Sequence, residues 1–265
     1  MKKVVIMGAS SGIGLAVAKA FASRGVRVGL AARHTGTLSD LKNTYPDFVE
    51  YASIDVTRPE APEQLYELAE RIGGMDIYFH VSGVGYENLT LDPEGEAKII
   101  NTNAVGFARM TSAAYRYFRE KGISGQIAAV TSVAGTKGIG RLSAYSASKK
   151  CAQTYLVALE QLANAEKADI TFTDIRPGWI RTPLLLPDTR YPLEMDIEQA
   201  LPLIIKAIVR KKRIAYIDSR WGAIARVWSR IPDRLWVKTD IKISEPDEPL
   251  PGRAEIVNSL EKEKA

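Results

Sequence analysis

Short apolar, β-branched runs that alternate with helical stretches constrain this chain more than any other feature of it. The runs are Val4–Met7, Val26–Ala31, Phe48–Ile54, Asp76–Val81, Gln126–Val130, Asp169–Ile175 and Arg213–Ile217. Helical patterns follow from Leu15 and over Glu60–Ile72, Glu96–Lys121, Ser143–Ala165 and Asp196–Arg210; none is marked between the second and third runs. Continuous apolar strands suit a sheet buried on both faces, and strict alternation predicts parallel strands with helices on both sides. In such a sheet, ligands lie beyond the carboxyl ends of the strands. The 265 residues show no internal linker or repeat, and with 46% hydrophobic residues they suit one sizeable α/β domain.

Several function classes are disfavoured by composition. Two histidines and one cysteine, Cys151, leave little for a metal site and no internal disulfide, which suggests a reducing, cytoplasmic setting. The apolar run after Met1 is too short for a signal peptide, and nothing approaches the roughly 20 apolar residues of a membrane span. The net charge of +5 is local. Residues 206–238 carry ten Lys/Arg against Asp218 and Asp233, and residues 239–265 are acidic on balance. A nucleic-acid reader would spread its basic residues over a recognised reading element.

The first run leads into Gly8-Ala-Ser-Ser-Gly12-Ile-Gly14 and then a helix. Strand, glycine turn and helix together let backbone approach a diphosphate held at the helix amino end. A second signature is Tyr145-Ser-Ala-Ser-Lys149, with Ser132 thirteen residues upstream. Tyrosine and lysine four apart share a helix face. The same spacing recurs in Tyr117 and Lys121. Those two lie at the end of a helix leading into the fifth strand, on the rim away from a ligand. Tyr145 and Lys149 lie near the start of the next helix, on the ligand rim. Tyr117 is therefore read as a structural aromatic. A free phenol has a pKa of about 10, and a neighbouring ammonium should lower it towards a useful range.

In these motifs the chain resembles the short-chain dehydrogenase/reductase family, in its shorter single-domain subclass. The family's T-G-x-x-x-G-x-G falls on Met7 to Gly14, with methionine for threonine. Its N-N-A-G falls on His80-Val81-Ser82-Gly83, where only the glycine survives; its P-G falls on Pro177-Gly178, followed by Thr182. His80 is read as a hydrogen-bonded strand-end residue rather than a catalytic one. The resemblance implies a Rossmann-like doubly wound seven-stranded sheet of order 3-2-1-4-5-6-7. It implies an oxidoreductase interconverting a carbonyl and a secondary alcohol by hydride transfer. Tyr145 would be the general acid/base, Lys149 would hold the nicotinamide ribose, Ser132 would bond the reacting oxygen, and Asn103 would hold a water linked to Lys149.

By the same resemblance the cofactor touches Gly8, Ser10, Ser11, Gly12, Ile13 and Gly14, then Asp55 and Val56. Ser82, Gly83, Tyr145, Lys149, Pro177, Gly178, Ile180 and Thr182 complete its contacts. At the end of the second strand, where a carboxylate would select NAD, stand Ala32, Arg33 and His34. An uncharged residue beside a guanidinium suits a 2′-phosphate, so NADP(H) is expected over NAD(H). The long helices 96–121 and 143–165 imply, by resemblance, a homodimer or homotetramer.

The expected organisation is a catalytic domain over 1–220, with a lid over about 179–200, and a basic extension over 221–265. Leu184, Leu185, Leu186, Tyr191 and Met195 in the lid suggest an apolar substrate, or else fold onto the core. Trp221, Trp228 and Trp236 are interleaved with Arg226, Arg230, Arg234 and Lys238. This pattern fits a helix packed on the lid or a subunit better than weak membrane-surface contact through 221–238, which Pro232 would interrupt. A catalytically idle NADP-binding sensor or membrane-surface scaffold would also use this fold. The sensor reading expects one of Ser132, Tyr145 or Lys149 to be lost, and none is.

Overall fold

A computed structural model describes residues 2–186, 189–241 and 245–246. Seven strands pair in parallel: β1 (Lys3–Met7), β2 (Arg27–Ala32), β3 (Val49–Ser53), β4 (Ile77–His80), β5 (Gly125–Val130), β6 (Ile170–Pro177) and β7 (Ile214–Ile217). Their order is β3-β2-β1-β4-β5-β6-β7, as expected. The chain leaves β1 towards β2 and β3, then crosses back to β4. A crevice therefore opens at the carboxyl ends of β1 and β4, where such sheets bind ligands.

Both faces of β1 are buried because its side chains alternate between two cores. Val5 and Met7 join one with Leu65, Met110, Phe118 and Leu156, under helices α3 (Ala61–Arg71), α5 (Phe107–Lys121) and α6 (Ser143–Glu166). Val4 and Ile6 join the other with Val17, Phe21, Leu38 and Ile204. That face lies under α1 (Gly12–Ala22), α2 (Gly36–Thr44) and α7 (Ile197–Val209). Helix α2 has no counterpart in the sequence reading. Its nine residues bury only Leu38 and Leu41, too few for a clear 3.6-residue stripe.

The helix expected over 96–121 is not continuous. It comprises α4 (Pro93–Ile100), a π-helical turn over Asn101–Gly106, and α5. Single π turns inside α-helices concentrate at functional sites, and this one carries Asn103. The basic segment is also broken, into α8 (Ser219–Trp228) and the short α9 (Asp233–Trp236), with Pro232 between them. Its tryptophans turn inward: Trp221 and Trp236 are buried, and Trp228 lies between them, 6.2 and 5.2 Å away by ring centroids. The arginines stay at the surface. No described helix is long and apolar enough to cross a membrane.

Tyr117 and Lys121 are structural partners at the other rim. Lys121 bonds Glu70 at 2.5 Å and stands 4.7 Å from the Tyr117 ring, which stacks on Tyr66. The Tyr117 hydroxyl lies near Gly74 and the Lys3 end of β1, the amino rim of the sheet.

Candidate active site

A cavity of about 1080 Å³ opens at the crevice. One end is walled by the β1–α1 turn. Gly8 and Gly12 take positive φ there, and a Cβ on Gly14 would lie 2.1 Å from the Gly8 carbonyl oxygen, so only glycine admits this packing of helix on strand. No side chain caps the amino end of α1 at Ser11, which leaves its first amides for an incoming anion. Ser10, Ser11 and Ile13 line this end with Gly8 and Gly12. Arg33 and His34, both exposed, Asp55, Val56, Ser82, Gly83, Pro177, Gly178, Ile180 and Thr182 line it too. Gly14 does not line the cavity. Its part is the close packing.

Asp55 accepts from the Thr57 amide at 2.9 Å and hydroxyl at 2.8 Å. Burial raises its pKa, but these bonds and the charges of Arg33 and Arg58 outweigh burial and hold the carboxyl below its usual range. Arg33 thus faces the cavity with a carboxylate close by.

Ser132, Tyr145 and Lys149 meet at the cavity floor. Ser132 follows β5; Tyr145 and Lys149 lie on successive turns of α6, with the ammonium 5.6 Å from the Tyr145 ring centroid. Three bonds pin the β5 end. Lys149 Nζ donates to the Val130 carbonyl at 3.1 Å, Gln153 Nε2 to the Ser132 carbonyl at 2.7 Å, and Thr131 Oγ1 to Asp174 at 2.5 Å. Asp174 is buried and also takes Nε and Nη2 of Arg176, at 2.7 and 2.6 Å. Arg176 reaches on to the Tyr216 hydroxyl.

Burial of Lys149 pulls its pKa down to about 8, against the pull of Asp174 upward. The phenol departs from the sequence expectation. Burial raises the Tyr145 pKa, and the opposing influence is its hydrogen bond with Ser132, not the ammonium. The physical reason is enclosure: the loop after β4 runs so close that a Cβ on Gly85 would lie 2.5 Å from the ring.

Asn103 lies behind this floor and not on the cavity wall. Its Nδ2 donates to the Val84 carbonyl at 2.7 Å and to Ser148 Oγ at 3.2 Å, and its Oδ1 accepts from the Val84 amide at 2.9 Å. In this structure its amide clamps the loop to α6. The loop is held again by Glu96, which accepts from Asn88 at 2.9 Å and from the Ala144 amide at the start of α6 at 3.0 Å. Residues 84–90 line the cavity, yet the sequence carries no periodic signal there. Gly85 was the one available cue. His80 is buried, bonded through Nδ1 to the Tyr78 hydroxyl at 2.8 Å, and packed on Phe107. Burial first, then the Lys149 charge, pulls its pKa to about 3, so it stays neutral. It is the hydrogen-bonded strand-end residue the sequence suggested.

The other end of the cavity is apolar. Leu184, Leu185, Leu186 and Tyr191 line it, with the Tyr191 ring tilted against Trp179 at 4.6 Å between centroids, whereas Met195 packs against the core. Trp221, Ile224, Trp228 and Ile241 complete that end.

The sequence model of the short-chain dehydrogenases matches residues 2–190. The chain belongs to the short-chain dehydrogenase family. Named oxidoreductases are among its relatives. One from Mycobacterium tuberculosis is 31% identical over 248 residues, covering 88% of this chain and 95% of its own. Another, from Myxococcus xanthus, is 32% identical, covering 79% of this chain and 84% of its own. A crystal structure of a short-chain type dehydrogenase/reductase from Mycobacterium marinum superimposes with a TM-score of 0.73 at 25% identity, over 83% of this chain and 95% of that one. The fold alone is shared with a Burkholderia cenocepacia short-chain dehydrogenase in complex with NADP: TM-score 0.75, 20% identity, 90% and 98% covered. This short-chain dehydrogenase is thus an oxidoreductase on a nicotinamide-dinucleotide fold. Its glycine cradle and uncapped helix end suit the diphosphate of such a cofactor.

Proposed function

We propose that the protein interconverts a carbonyl and a secondary alcohol with NADP(H), on an apolar substrate. The observation that carries this is the convergence of Ser132, Tyr145 and Lys149 at the cavity floor, with the phenol bonded to Ser132. The bound cofactor supplies or accepts the hydride; the protein handles the proton at the substrate oxygen. Tyr145 Oη gives that proton in the reducing direction and takes it back in the other. Ser132 Oγ holds the oxygen against Tyr145. Lys149, its ammonium 5.6 Å from the phenol ring centroid, would hold the nicotinamide ribose beside the reacting groups. Asn103 is a positioning residue that fixes the loop over the phenol. Arg33 meets a 2′-phosphate with charge-assisted bonds, while Ala32 leaves no carboxylate to repel it. An apolar substrate is supported by the leucines of the lid and by Trp221 and Trp228, which line the same cavity.

A panel of ketones and alcohols, followed by NADPH absorbance, tests the reading. Tyr145→Phe should lose at least about a hundredfold in kcat, as expected for removing a positioned acid/base. Turnover near wild type would refute the assignment. Arg33→Asp should reverse the preference towards NAD(H), and an unchanged preference would refute the choice of cofactor.

A further inference from the structure

The tryptophans of the basic segment do more than fill a core. Trp228 lines the apolar end of the cavity and packs in one cluster with Tyr145, Trp179, Ile139, Leu142 and Ile241. Two indoles fix it from behind. Trp236 lies edge-on to it, ring centroids 5.2 Å apart, and its Nε1 donates to the Gly138 carbonyl at 2.6 Å. Trp221 donates to the Leu193 carbonyl at 3.4 Å and fills the space at Gly178, where a Cβ would sit 2.1 Å from its Nε1. An ion pair between Lys137 and Asp233 ties α9 to the same loop as Gly138. The Trp228 ring is therefore a braced, flat surface.

Several polar groups near this end are already engaged. Asn88 gives its amide to Asp92 and Glu96, the Tyr86 hydroxyl donates to Gly95, and Glu87 faces Arg141 at 3.8 Å. A substrate here meets mainly rings and aliphatic carbons before its oxygen reaches Ser132 and Tyr145. Aromatic faces favour flat rings by geometry as well as by area. A rigid ligand also loses less freedom on such a wall than a flexible chain does.

We propose that Trp228 is a specificity-determining residue, and that the substrate is an uncharged compound with a flat fused-ring body carrying the reacting carbonyl or hydroxyl. This rests on the carbonyl–alcohol reading above and narrows its substrate class.

Calorimetric titration of the full-length protein, with and without NADP+, tests it with three probes. They are 2-acetylnaphthalene, the straight-chain 2-dodecanone with the same number of carbons, and the anion 2-naphthoate. The expected result is 2-acetylnaphthalene binding at least about tenfold tighter than either, against the greater hydrophobicity of the alkanone. Trp228→Leu keeps an apolar side chain and removes the ring, so it should erase most of that ratio; Trp228→Phe should retain part of it. A purely structural role would weaken all probes alike. Equal or tighter binding of 2-dodecanone or 2-naphthoate, no binding of 2-acetylnaphthalene, or an unchanged ratio in Trp228→Leu would overturn the proposal. Tight binding of 2-acetylnaphthalene without NADPH-dependent reduction of any panel ketone would refute the reaction and leave the ring-selective wall standing.

Discussion

Lys149→Met should stabilise this protein at neutral pH while removing the charge its chemistry needs. The ammonium is buried, and its pKa falls from 10.5 to about 8. At about 1.4 kcal/mol per unit, keeping it charged in the fold costs about 3 kcal/mol. Methionine removes that cost and retains most of the apolar stem. It also deprives the Val130 carbonyl of its donor, at a loss of about 1 kcal/mol. The net gain at pH 7 is about 2 kcal/mol, or a melting temperature higher by about 4–8 °C in a chain of this size. The pH dependence carries the signature. Between pH 8 and 10.5 the unfolded wild type keeps a proton that the folded form has released, so wild-type stability rises across that window. The advantage of the variant therefore shrinks above pH 8 and reverses near about pH 10. Urea unfolding of the cofactor-free proteins at pH 7, 8, 9 and 10 measures the difference. A variant less stable than wild type at pH 7, or a difference that does not change with pH, would refute the reasoning. Such a trade of stability for a strained functional group is common at active sites.

Three further outcomes follow from particular contacts. Gly85→Ala places a methyl 2.5 Å from the Tyr145 ring, so the loop or the phenol must move by about 1 Å; turnover should fall about a hundredfold with melting little changed, and near-normal turnover would count against the enclosure described. Asp174→Asn leaves the Arg176 guanidinium without its buried carboxylate and should cost about 3 kcal/mol in urea unfolding; a loss below about 1 kcal/mol would show the network is not stabilising. Glu96→Ala frees both Asn88 and the first turn of α6, and should cost about 1–3 kcal/mol and speed proteolysis within 84–92; unchanged cleavage would mean the loop is held by Asn103 alone.

What could be read in the residues was local or periodic. The β-branched runs, the glycine turn and the helical stripes each repeat over a few residues, so a parallel sheet and its ligand rim followed from them, while the strand order came from the resemblance to short-chain dehydrogenases. Tyr117 could be set apart from Tyr145 because helix direction alone places each on a rim, and Glu70 and Tyr66 now account for Tyr117. Other features depend on residues far apart in the chain meeting in space. The π turn turns Asn103 towards a loop nineteen residues earlier, and Trp236 reaches a carbonyl 98 residues away. Asp174 meets Thr131 across 43 residues, and the rise in the Tyr145 pKa comes from enclosure that no spacing records. The sequence determined the sheet, its open crevice and which tyrosine–lysine pair faces it. Only the tertiary structure decided that the phenol is governed by burial, that Asn103 clamps a loop, and that the basic segment turns Trp221 and Trp228 into the cavity wall. Burial and side-chain direction depend on what packs opposite, and that is set by the whole fold.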